Sequence, residues 1–170
     1  MLSHTLNVFK LLILAVVLAW PAQSLIAEDD TGDSDPAVKV VYHADFADPR
    51  RFSAMLTSIN NMVTFYQNEL VDYDVRIVFV AHGIRFLTND KLKDTPFSSD
   101  AALDESRDNL HGRLSALNSV QGVKLELCNI TRSGIGLPED ALYKGVQLVP
   151  SGVVRIAELQ TRGYAYIKIE

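Results

Sequence analysis

Five short apolar runs, each followed by a polar or amphipathic stretch, limit the fold more than anything else in this chain. Val38 to Tyr42 (VKVVY) is apolar almost throughout, as a strand buried on both faces must be. Tyr73 to Ala81 (YDVRIVFVA) and Val146 to Val149 read as two more strands, and Ala165 to Ile169 (AYIKI) as a closing one. Between them, Val123, Leu125 and Leu127 alternate with Lys124 and Glu126 in a strand that ends on Cys128. After the first strand, Asp48-Pro49 supplies an N-cap and a proline for the first helical turn. Phe52, Met55, Leu56, Ile59, Val63 and Tyr66 then recur at helical spacing as far as about Leu70. A third element runs from Ser99 or Asp100 through Asn118, with Leu103, Leu110, Leu114 and Leu117 on its apolar side. Pro138 opens a short helix to about Tyr143, and Gly152 to Arg162 forms the last, packing Val153, Val154, Ile156, Ala157 and Leu159 inward. Thr88 to Ser99 reads as a surface loop. This alternation predicts one α/β domain over 38–170, with about five mostly parallel strands and helices on both faces.

The amino-terminal segment stands apart. Lys10 precedes ten apolar residues, Leu11 to Trp20, then Pro21 and the small residues Ala22-Gln23-Ser24. This is the layout of a signal peptide over 1–24, cleaved after Ser24 or, alternatively, after Ala27. The run is shorter than the roughly 20 residues that span a bilayer, so no stable membrane insertion is expected after cleavage. Residues 25–37 include EDDTGDSDP, an acidic flexible linker. The expected location is periplasmic or secreted. Net charge is −5, and cleavage removes Lys10 but no acid. Such an acidic surface argues against a nucleic-acid partner.

One cysteine forms no internal disulfide and no Cys-x-x-Cys centre, and no Cys/His group has zinc spacing. No metal or cofactor is therefore expected. Cys128 is either a thiolate nucleophile at the carboxyl edge of the sheet or a small buried packing residue. Parallel strands bring their carboxyl ends to one edge, which there places Cys128, Asn129 and Thr131 with His43 and Asp45, His82 and Gly83, and Ser151 and Gly152. Arg132 is positioned to favour a thiolate, and His82 to carry a proton. The plain alternatives are a histidine satisfied at a tight turn, Asn129 and Thr131 closing a turn, and Ser151 capping a helix. Asn60 and His111 read as solvent-facing or interface positions, and Gly134-Ile135-Gly136 lacks a phosphate-binding fingerprint.

The segments VVYHADFADP, VFVAHG, LELCNITRSGIGLPED and VQLVPSGVVRIAELQTRGYAYIKIE together resemble the DsrE/DsrF-like family of small sulfur-handling proteins with the YchN-like fold. The likeness runs from about Val38 to the carboxyl terminus and resembles an exported branch with a signal peptide. It implies a five-stranded, mainly parallel sheet and assembly as a homotrimer or homohexamer. It also implies a cysteine that accepts sulfane sulfur as persulfide and passes it between a donor and an acceptor protein. That role maps onto Cys128, with His82 and Arg132 tuning it and His43, Gly83, Asn129, Thr131, Ser151 and Gly152 as ligand-binding positions. Two rivals remain: a non-catalytic binding module with a structural cysteine, and a thiol peroxidase needing an external reductant.

Overall fold

The first strand, β1 (Val38–Ala44), lies inside a five-stranded sheet because both of its faces are covered. Val40, Tyr42 and Ala44 point into one cluster of buried side chains, and Val41 points into a second. The computed structural model describes residues 36–170, so the leader and all of the linker except Pro36 and Ala37 lie outside the described residues. The remaining strands are β2 (Tyr73–Phe79), β3 (Lys124–Cys128), β4 (Val146–Val149) and β5 (Ala165–Ile167). They lie in the order β4-β3-β2-β1-β5, and every pairing is parallel. All strand carboxyl ends therefore share one edge.

Helix α1 (Pro49–Asn68) starts where the sequence expects it. The Asp48 carboxylate accepts from the Arg50 N–H at 2.7 Å, and proline opens the first turn. Helix α2 (Ala101–Ser119) is capped by Asp100, which accepts from the Leu103 N–H at 2.9 Å. The buried stripes Phe52, Met55, Leu56, Ile59, Val63 and Leu103, Leu110, Leu114, Leu117 lie with Ile77, Phe79, Leu125 and Leu127 in the main core. Helix α4 (Gly152–Thr161) covers the opposite face, where Ile156 and Leu159 meet Val41 and Val78. Helices thus lie on both faces, and the main core sits under α1 and α2.

Four local readings change. The strand ends on Cys128 as expected, but Asn129 and Thr131 do more than close a turn: they begin a short helix, α3 (Asn129–Gly134), directly after it. The element after Pro138 is one 3-10 turn, Glu139–Ala141. The stretch from Thr88 to Ser99 is not a simple surface loop. Thr88 is fully buried, donates to the Ala141 carbonyl at 2.8 Å and accepts from the Asp90 N–H at 3.0 Å, while Leu92 also turns inward. In α4, Val153 and Val154 are 65% and 55% exposed rather than inward, and Ala157 is exposed too. A lone helix on a sheet makes contact along one narrow stripe, here Gly152, Ile156 and Leu159.

Candidate functional site

Cys128 is the last residue of β3, on the sheet face toward α4, and is 4% exposed. Two helix beginnings meet its sulfur. The chain turns into α3 at once, which brings the Ile130 and Thr131 N–H groups and the Thr131 hydroxyl to it. The Gly152 N–H arrives from the first turn of α4. Burial pushes the thiol up, but the hydrogen bonds from Gly152, Thr131 and Ile130 outweigh it and hold the group below its ordinary value. The helix dipoles act in the same direction.

Gly152 is required by this approach. A Cβ there would lie 2.6 Å from Val80 Cγ2 and 3.0 Å from Cys128 Cβ. Only a residue without a side chain lets the amide come so near the sulfur. Thr131 accepts from the Ala81 N–H at 3.1 Å, which leaves its own hydroxyl proton for the sulfur. Ala81 itself has φ of +48°, an uncommon left-handed conformation for a residue with a Cβ. That strained residue opens the 3-10 helix Ala81–Phe86, which carries His82 and Gly83.

The structure therefore gathers three of the sequence candidates, Cys128, Thr131 and Gly152, around one sulfur. The others occupy different places. Arg132 is engaged by its own loop: Nε donates to Asn129 Oδ1 at 2.9 Å, one terminal nitrogen donates to the Leu137 carbonyl at 2.6 Å, and Glu139 lies at 3.6 Å. Asn129 serves that turn by accepting. Ser151 caps α4, its hydroxyl accepting from the Val154 N–H at 3.5 Å. A Cβ on Gly83 would fall 2.1 Å from the Ala44 carbonyl oxygen, so this glycine fits the 3-10 turn against the end of β1. The His82 ring meets Phe97 edge-on with centroids 5.3 Å apart, and its Nδ1 is buried without a hydrogen-bond partner. His43 sits two strands from β3, with Nδ1 3.0 Å from the Tyr166 hydroxyl and Nε2 3.8 Å from Asp45. Burial lowers its pKa, Asp45 opposes that, and Lys168 adds to it.

Sequence reasoning missed Ile130, whose contribution is a backbone amide and carries no side-chain signature. It also missed the charged pair beside the site. Glu126, 1% exposed, accepts from Arg155 Nε at 2.7 Å and from another Arg155 nitrogen at 2.8 Å. The signal was present: Glu126 lies two residues before Cys128 on the same strand face, and Arg155 lies three after Gly152. Among the described residues no group of three His, Cys, Asp or Glu is placed to hold a metal ion.

No curated protein matches the chain. Among solved structures, the protein of unknown function MTH1491 from Methanobacterium thermoautotrophicum is similar at 28% identity and a TM-score of 0.58, covering 77% of this chain and 98% of that one. The ychN protein from E. coli is similar at 17% identity and a TM-score of 0.47, covering 78% and 99%. A family match spans residues 39–169, nearly all of the described domain, and the chain belongs to the DsrE/DsrF-like family.

Proposed function

We propose that the protein is an exported sulfur carrier that holds a persulfide or mixed disulfide on Cys128. The observation that carries this reading is the convergence of the Ile130, Thr131 and Gly152 N–H groups and the Thr131 hydroxyl on the chain's one thiol. That arrangement favours the thiolate, which is the attacking form. The Cys128 thiolate attacks the outer sulfur of a donor persulfide, R–S–SH. The donor S–S bond breaks, R–S⁻ leaves, and Cys128 carries S–SH. In the return step an acceptor thiolate attacks that outer sulfur and Cys128 leaves as thiolate. The sulfur moves without net redox change in the carrier and without a cofactor. The donor carries the persulfide and the acceptor a thiol, on a partner protein in each case, and nucleic acid has no part. The apolar leader supports work in the periplasm or outside the cell, and the family likeness supports a homotrimer or homohexamer.

One observation favours a second reading, a binding module with a packing cysteine: Cys128 is 4% exposed. A single experiment separates the two. One sample of the folded protein is alkylated across a pH series, and a separate, unalkylated sample is incubated with polysulfide and weighed intact. A carrier labels rapidly below pH 7 and gains the mass of one sulfur, and both effects vanish in Cys128→Ala. A thiol that labels only after denaturation leaves the packing reading in place.

A further inference from the structure

We propose that Glu126 and Arg155 are positioning residues that set the reactivity of Cys128, by clamping the first turn of α4 to β3 so that the Gly152 amide stays on the sulfur. This deepens the carrier reading and rests on it. Two bridges join the same two elements. The Gly152 backbone lies so close to Cys128 that an added Cβ would come within 3.0 Å of Cys128 Cβ, and Arg155 grips Glu126 through two hydrogen bonds of 2.7 and 2.8 Å. The bridges are two residues apart on the strand and three apart on the helix, so both lie on one seam. Two points of attachment fix the sliding and the rotation of a helix, where one would leave it free to pivot.

Glu126 is itself held from the other side. Arg76 on β2 donates to its Oε1 at 2.7 Å and is anchored in turn by Asp74 at 3.0 and 2.6 Å. Lys124 also reaches Asp74 at 2.6 Å, and Glu158 lies 3.8 Å from Arg155. The carboxylate is thus a fixed post and Arg155 the moving arm. A buried ion pair adds little net stability over an apolar pair of the same shape, but it specifies one register. Register matters here because the seam has no slack. Gly152 already lies so close to Val80 and Cys128 that no Cβ fits, and a hydrogen bond to sulfur does not survive a large displacement.

The test measures the thiol pKa from the pH profile of alkylation in the full-length protein, for the wild type, Arg155→Lys and Glu126→Gln. Arg155→Lys keeps the charge and the fold but loses the planar fork. Glu126→Gln removes a negative charge near the sulfur, so a purely electrostatic role predicts a lower thiol pKa there. The clamp predicts a rise in both variants, and each unit of rise slows alkylation at pH 6 by about tenfold. An unchanged profile in Arg155→Lys, or a lowered pKa in Glu126→Gln, overturns the clamp while leaving the carrier reading intact. A wild-type thiol with an ordinary pKa near 8.5 overturns both. Should Glu126→Gln not fold, Arg155→Lys decides alone.

Discussion

The groups that lower the Cys128 thiol pKa are mostly not side chains. Three backbone amides and one hydroxyl surround it, and burial works against them. The amides reach the sulfur only because Gly152 has no Cβ. Gly152→Ala therefore forces α4 away from Val80 and Cys128. Overpacking of this kind costs about 1–3 kcal/mol. The expected outcome is a lower urea midpoint together with a raised thiol pKa, read by denaturation and by alkylation across pH. A variant that loses stability but keeps the wild-type alkylation profile would show that the glycine serves packing alone.

Strand β3 and helix α4 form the element pair on which the site depends, and their contact is half polar. Burial pushes the Glu126 carboxyl up, but hydrogen bonds from Arg155 and Arg76 more than offset this and hold it below the ordinary carboxylate value. Asp74 follows the same pattern through Arg76 and Lys124. A carboxylate whose folded pKa is depressed contributes stability that is complete above its unfolded pKa and is lost as pH falls through the folded value. For these residues the unfolded values are about 4.3 and 3.9. Stability should accordingly decline as pH drops below about 5. In Glu126→Gln the stability at pH 7 falls by about 2 kcal/mol, the scale of a lost charged hydrogen bond. The acid limb of its urea midpoint against pH becomes flatter than that of the wild type. Equal acid slopes in the two proteins would remove Glu126 from this account.

At the scale of the whole molecule the two sheet faces are unequal. Two long helices seal one, while the single ten-residue α4 crosses the other. That leaves Val153, Val154 and, on α3, Ile130 at 64% exposure beside the cysteine. Both edge strands are short, with four residues in β4 and three in β5. Apolar surface next to a reactive centre is where a partner or a second copy would sit. Sedimentation of the protein is expected to give a trimer or hexamer, and a strictly monomeric species at all concentrations would remove assembly from the proposal.

Local chemistry was enough to draw the five strands and the helices α1, α2 and α4. Caps at Asp48 and Asp100, the leucine spacing of α2 and the continuous apolar runs of the strands each act within a few residues, so the chain displays them directly. A lone cysteine at the carboxyl end of β3 was equally plain. Which faces were covered was not, because that depends on which distant segment arrives. The Lys124-Glu126 alternation marks a strand but names no partner for Glu126 until α4 brings Arg155 onto it. Val153 and Val154 look inward until a lone helix meets a sheet along one stripe. The environment of the sulfur is the clearest case. Amides of residues 130, 131 and 152 carry no sequence signature, and only the crossing of α4 over the sheet brings the last of them to Cys128.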